Sequence, residues 1–167
     1  YGGSLERMFE RPTAELRGEL LRLNGIGPET ADSMLLYAGQ HEVFVVDAYT
    51  RRIFERHGAV RAAASYEEIR AVFERAITPE FAREALGAFP ESDENALPGG
   101  HHRPSAMSEA PRSARAQILN EMHGLIVGVA KNYCRARQAD CERCPLERFL
   151  ERPVKVPTKA RKRRNSR

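Results

Sequence analysis

Apolar residues recur every three or four positions along most of the chain, the spacing of helices that bury one face. No two segments show the alternation expected of paired strands, so the pattern predicts an all-α fold. Some apolar side chains are expected to face inward, among them Leu23, Val72 and Leu125. Helices are predicted to begin near Leu5, Thr13, Pro28, Ala48, Tyr66, Pro79 and Ala114.

The segments between the predicted helices differ in character. Gly25 and Gly39 are expected to end the second and third helices. Residues 43–46 are an apolar run too short and isolated for a sheet, which indicates a buried connector. Residues 90–113 are rich in Pro, Gly, Ser and charge, as in a mobile loop. The chain therefore divides into 1–89, the loop 90–113, a long helix with a cysteine region at 114–152, and a tail at 153–167.

Charge changes this picture only at the carboxyl end. The formal net charge is +4, yet residues 153–167 contain seven basic residues and no acidic one. Without them the chain has 20 basic and 23 acidic residues, so its body is slightly negative. The tail is typical either of a nucleic-acid-binding arm or of a disordered solubilising segment. No apolar run approaches the roughly 18 residues of a membrane span, so no membrane partner is expected.

A glycine-rich turn, Leu-Asn-Gly-Ile-Gly at residues 23–27, separates the second and third predicted helices. Glycine permits positive φ and close backbone approach, both of which a short hairpin between helices requires. The hairpin amides could then face a phosphate at the start of the next helix. An ordinary turn with a glycine cap is the alternative interpretation.

Asp47 stands between the apolar run 43–46 and the helix predicted from Ala48. Its side chain could simply cap that helix. A cap is compatible with catalysis, because the helix dipole would hold the carboxylate ionised and in one position. We therefore take Asp47 as a candidate catalytic residue.

Three cysteines lie close together, at Cys134, Cys141 and Cys144. An odd, clustered number argues against a disulfide framework and favours a metal or cluster site.

Taken together, LNGIGPETAD, VFVVDAYTRR and the late cysteines resemble the endonuclease III superfamily of helix-hairpin-helix DNA glycosylases, from about Tyr1 to Leu150. The resemblance implies part of a six-helix barrel and an enzyme that flips a damaged base out of double-stranded DNA and breaks its N-glycosidic bond. It implies Asp47 as the catalytic carboxylate and a monovalent cation held by hairpin carbonyls. Residues implied to contact DNA are Leu23, Gly25, Ile26, Gly27 and Thr30.

Glu29 occupies the position at which bifunctional members carry the lysine that forms a Schiff base, and it is our second catalytic candidate. A carboxylate cannot form an imine, and no lysine occurs between Tyr1 and Ala130. This predicts a monofunctional enzyme, similar to the alkylpurine (3-methyladenine) branch, in which Asp47 stabilises an oxocarbenium-like sugar. Glu29 could also be a plain solvated acid of the first helical turn. A bifunctional pyrimidine-damage enzyme and an inert DNA-binding module remain the alternatives.

The spacing of the cysteines matches the start of the family's iron–sulfur loop, which implies a 4Fe–4S cluster. The family's fourth cysteine, after five intervening residues, corresponds to Leu150 here. A cluster on three thiolates with an outside ligand, loss of the cluster, or zinc on three cysteines and a histidine are the alternatives. For zinc, His123 is a full helix away and is interpreted as structural, and the other histidines are expected to be remote.

The chain begins with Tyr, and relatives of this type begin well upstream. We therefore expect a fragment that lacks part of the barrel and of the base pocket, with weak or no activity by itself. The resemblance implies a monomer in the cytoplasm, associated with the nucleoid.

Overall fold

The computed structural model describes residues 1–88 and 111–150. Within them the structure is helical, with no strand beyond one isolated bridge between Cys134 and Ala139. The predicted all-α fold class is confirmed. A π-helical turn, Met34–Ala38, directly continues the third helix, and a 3₁₀ turn, Glu147–Phe149, follows the cysteines. The α-helices are α1 (Leu5–Phe9), α2 (Thr13–Leu21), α3 (Pro28–Ser33), α4 (Ala48–Arg56), α5 (Tyr66–Ala76), α6 (Pro79–Ala88) and α7 (Ala114–Asn132).

Each described helix begins where the sequence predicts, and side-chain caps mark the start of several of them. Ser4 and Ser113 accept a hydrogen bond from the first turn of α1 and α7. Ser65 and Glu68 form a reciprocal capping box at the start of α5. One helix end differs from the prediction: α2 stops at Leu21 rather than continuing to Gly25.

Three side chains expected to face inward are exposed, so these predictions are wrong. Leu23 is 56% exposed because it lies beyond the end of α2. Val72 and Leu125 are 37% and 70% exposed because the buried strips of their helices are narrow. The core-facing strip of α7 runs through Ala116, Leu119, His123, Ile126 and Ala130.

The apolar run 43–46 passes through the centre of the molecule, and the predicted buried connector is confirmed. All four side chains are at most 4% exposed. Phe44 stacks on Phe73 of α5, with ring centroids 3.8 Å apart, and Phe54 of α4 meets Phe73 edge-on. The connector therefore ties α4 to α5 and fixes where residue 47, at its end, is placed.

The core holds α7 against α4, α6 and the π-helical turn. None of the described helices is long and apolar enough to cross a membrane. Residues 90–110 of the predicted mobile loop, and the basic tail, lie outside the described residues.

Candidate active site

The hairpin between α2 and α3 has two glycines with different requirements. Gly25 has φ +87°, a conformation that residues with a side chain rarely adopt. Gly27 has an ordinary φ of −91°, and a Cβ built on it would meet no atom of the chain within 4 Å. The need for glycine at 25 thus comes from the turn itself, whereas the space beside Gly27 is open to an external molecule.

The other residues predicted to contact DNA lie at the surface of the same hairpin. Leu23 and Thr30 are exposed, and Ile26 is half-buried. Glu29 is also exposed, in the first turn of α3, and its carboxylate has no hydrogen-bond or ion-pair partner among the described residues. Glu29 and Asp47 are therefore not joined by a direct contact.

A buried ion pair fixes the angle between the two helices of the hairpin. Arg17 of α2 donates to both carboxylate oxygens of Asp32 in α3, at 2.6 and 3.1 Å. Asp32 is fully buried, and Arg70 of α5 approaches it to 3.9 Å. Arg17 also donates to Glu67 at 2.6 Å. The hairpin thus rests on a charged network that ties it to α5.

Asp47 is the N-cap of α4, as the sequence predicts. Its Oδ1 accepts a hydrogen bond of 2.7 Å from the Thr50 amide. The side chain is only 13% exposed. The connector before it is held by α5, since the Phe44 amide donates to Glu74 and the Val46 amide donates to the Tyr66 hydroxyl. Backbone bonds on both sides therefore fix the position of the carboxylate.

His123 faces the second oxygen of that carboxylate, which sequence reasoning missed when it took this histidine as structural only. His123 Nε2 lies 3.5 Å from Asp47 Oδ2, longer than an ordinary hydrogen bond but within ion-pair range. Its Nδ1 is hydrogen-bonded to the hydroxyl of Tyr37, in the π-helical turn. The sequence did contain a signal for this contact, since His123 stands among the apolar residues of the buried strip of α7. A buried histidine needs polar partners, and that requirement points to a polar side chain on a neighbouring element.

These contacts determine how the Asp47 carboxyl group titrates. Burial alone would raise its pKa, but His123 and the Thr50 amide outweigh burial and hold the pKa of Asp47 below its usual value. Asp47 is therefore ionised at neutral pH. Burial and the negative charge of Asp47 raise the pKa of Tyr37 to about 12, so its hydroxyl stays protonated.

The cysteine region is anchored to α4 by two arginines. Arg52 donates to the Cys134 carbonyl at 2.7 Å. Arg56 donates to the carbonyls of Arg135 and Ala136, at 2.8 and 2.9 Å, and approaches the Cys134 sulfur at 3.2 Å. The loop is therefore held at the carboxyl half of the helix that Asp47 caps.

Cys134, Cys141 and Cys144 line one small cavity. Burial and the two neighbouring thiols raise the pKa of Cys141, so the three sulfur atoms influence one another. Leu150 lines the same cavity, and its hydrocarbon side chain cannot serve as a ligand. His57, expected to be remote, also lines it, which corrects that expectation.

This donor set does not fit a cluster held by four cysteines. Such a cluster takes four thiolates, and the fourth position is a leucine. Among the described residues, no three side chains of His, Cys, Asp or Glu are placed so that they could bind one metal ion together.

Comparison with known proteins gives two relatives. The chain is 36% identical over 149 residues to a protein of Methanocaldococcus jannaschii provisionally named a DNA repair glycosylase, covering 88% of this chain and 51% of that protein. It is 21% identical over 147 residues to endonuclease III of Sulfolobus acidocaldarius, covering 88% of this chain and 49% of that protein. No family model matches. The chain spans about half the length of these two relatives.

Proposed function

We propose that this chain carries the DNA grip and the catalytic carboxylate of a base excision repair glycosylase. The reaction is hydrolysis of the N-glycosidic bond of a damaged base in double-stranded DNA. The observation that carries the proposal is Asp47, a mostly buried carboxylate held ionised at a helix N-terminus by contacts to both of its oxygens.

An ionised, oriented carboxylate suits the chemistry of this bond. When the C1′–N bond breaks, the base leaves with the bonding electrons and positive charge develops on the sugar. The carboxylate of Asp47 would stabilise that charge in a partly desolvated site, where electrostatic interactions are stronger than in water. A water molecule would then add its oxygen to C1′ and lose a proton to Asp47, which leaves an abasic sugar and the free base.

The hairpin would supply the grip on DNA without a surface rich in lysine. Gly27 has no side chain to cover its amide, and the space around this residue is open. Backbone amides bind phosphate oxygens irrespective of sequence, as a repair enzyme requires. The same stretch of the DNA backbone would be contacted by the exposed Leu23 and Thr30, together with Ile26. A monovalent cation on the hairpin carbonyls would extend this grip.

We propose alkylated purines as the substrate class and no lyase activity. Glu29 replaces the lysine of bifunctional enzymes and is exposed in the first turn of α3, where it cannot form an imine. Cationic alkylated purines leave more easily than ordinary bases. A single fixed carboxylate would therefore be sufficient for their removal.

The test is a panel of duplexes, each with one damaged base, assayed in single turnover with the complete gene product and its Asp47→Asn variant. We expect excision of an alkylated purine by the unaltered protein. In the variant, excision should fall by several orders of magnitude while duplex affinity is retained. Undiminished excision by Asp47→Asn would refute the proposed mechanism. Duplex binding without excision of any base would favour an inert DNA-binding module.

A further inference from the structure

We propose that His123 is a positioning residue for Asp47, and that Tyr37 selects the tautomer of His123 that faces the carboxylate. The inference rests on the proposed function for its catalytic consequence. The arrangement itself rests on three contacts. They join the Tyr37 hydroxyl to His123 Nδ1, His123 Nε2 to Asp47 Oδ2, and the Thr50 amide to Asp47 Oδ1.

Three elements distant in sequence meet at this point. Asp47 is the cap of α4, His123 lies in the middle of α7, and Tyr37 lies in the π-helical turn after α3. The imidazole bridges the other two side chains, with Nδ1 on the Tyr37 hydroxyl and Nε2 at 3.5 Å from Asp47 Oδ2. α3 begins at the hairpin and continues into the π-helical turn. The segment that would bind DNA therefore leads directly to Tyr37, the residue that contacts His123.

The burial of His123 makes this bridge chemically specific. His123 is 8% exposed and lies edge-on to Phe44, with ring centroids 6.2 Å apart. Its Nε2 is buried and has no ordinary hydrogen bond in the described residues. The carboxylate of Asp47 is the acceptor it faces, and a shift of a few tenths of an ångström would complete the bond. A buried ring nitrogen without a full partner, directed at a carboxylate, is what a positioning role requires.

Tyr37 decides which ring nitrogen carries the proton. Its hydroxyl stays protonated near neutral pH and can therefore donate to Nδ1. We assign it that role because the other ring nitrogen, Nε2, faces the Asp47 carboxylate, which can only accept. In a neutral imidazole the hydrogen must then be on Nε2, pointing at Asp47. The two oxygens of the carboxylate thereby receive separate donors, the Thr50 amide on Oδ1 and the imidazole on Oδ2. This fixes the rotation of the carboxylate as well as its charge.

Few other groups influence the Asp47 carboxylate. Thr50 of its own helix and His123 of α7 face the carboxylate, and Tyr37 of the π-helical turn interacts with it electrostatically. In the described ranges no arginine or lysine forms an ion pair with it. Changes at His123 and Tyr37 should therefore appear directly in how Asp47 titrates.

The kinetic test is the single-turnover excision rate against pH for the complete gene product and its His123→Leu, Tyr37→Phe and Ile118→Val variants. Loss of the imidazole should move the acid limb upward by about one pH unit, which corresponds to a roughly tenfold weaker preference for the ionised carboxyl group. Tyr37→Phe should move it in the same direction by less. Ile118→Val, a buried change elsewhere on α7, should leave the limb in place. Superimposable profiles for all four proteins would overturn the positioning role.

A second measurement does not depend on activity or on the severity of the His123 change. Nitrogen-15 NMR of the labelled protein reports which imidazole nitrogen is protonated. We expect His123 as the Nε2–H tautomer in the unaltered protein, and a mixture of tautomers in Tyr37→Phe. An unchanged tautomer in Tyr37→Phe would overturn the role of the tyrosine. If the tautomers behave as expected but Asp47→Asn still excises bases, the proposed function fails while the arrangement stands.

Discussion

Arg17 and Asp32 join the two helices of the hairpin through two hydrogen bonds to one fully buried carboxylate. The pair adds to the packing between these two helices, which the Leu-Asn-Gly-Ile-Gly turn joins in sequence. Since the position of the hairpin amides depends on the angle between α2 and α3, this pair supports the surface that would meet DNA.

Replacement of Asp32 by Asn should destabilise the protein strongly. Breaking a buried ion pair leaves an uncompensated charge, and we expect the free energy of unfolding to fall by roughly 3 kcal/mol. The loss should not be larger, because Glu67 still contacts Arg17. Urea unfolding measures it. The control is Glu15→Gln, in the exposed Arg11–Glu15 pair, which should cost less than about 1 kcal/mol. Equal losses in the two variants would show that the buried pair adds no particular stability.

The two hairpin glycines should separate stability from DNA binding. Gly25→Ala forces a side chain into positive φ and should cost about 1–2 kcal/mol of stability. Gly27→Ala should change stability by less than about 0.5 kcal/mol, because its Cβ would meet open space.

Duplex affinity of Gly27→Ala should nevertheless fall by roughly tenfold or more, through loss of a hydrogen bond to phosphate worth about 1.5–3 kcal/mol. Fluorescence anisotropy with a labelled duplex at fixed salt measures this. A Gly27→Ala protein that binds as well as the unaltered one would place the DNA grip elsewhere.

Asp47 should make stability depend on pH below the neutral range. Because its pKa is lowered on folding, its ionised form stabilises the native state above the usual aspartate pKa of about 3.9. That contribution should be lost as the pH falls through the lowered folded-state pKa. Thermal unfolding of the unaltered protein and of Asp47→Asn, followed from pH 7 to pH 3, should show a gap that closes toward acid. A gap independent of pH would mean that the carboxyl group titrates alike in both states.

Borohydride should trap no covalent adduct between the unaltered protein and abasic-site DNA. The imine requires an amine near the sugar, and Glu29 provides none. The matched variant is Glu29→Lys, which restores an amine at this position and should yield an adduct on denaturing gels. A strong adduct with the unaltered protein that survives blocking of the N-terminal amine would instead support a bifunctional enzyme.

Leu150→Cys should increase the iron and sulfide bound per chain after anaerobic reconstitution. The substitution completes the four-cysteine spacing in the cavity that already holds Cys134, Cys141 and Cys144. Iron and sulfide analysis, with the thiolate-to-iron absorbance, measures it. Four irons per chain in the unaltered protein would contradict this expectation and make His57 the first candidate for the missing ligand, testable with His57→Ala.

The helices, the hairpin, the buried connector and the cap at Asp47 were predicted from sequence because each depends on residues close together in the chain. Leu23 was wrongly placed inward because α2 ends before it. The same error at Val72 and Leu125 has another reason: periodicity indicates which face of a helix is apolar, but not how wide a strip of that face the neighbouring helices cover. In α7 the covered strip is narrow, and it includes His123.

By itself the sequence determined the order of helices, the turn that needs Gly25, and a carboxylate at the start of α4. Only the tertiary structure decided what faces that carboxylate and what surrounds the cysteines. His123 reaches Asp47, Tyr37 reaches His123, and His57 reaches the cysteine cavity through the packing of helices far apart in the chain. Such contacts depend on the angles at which helices cross, and those angles follow from the fit of whole side-chain surfaces rather than from any local pattern.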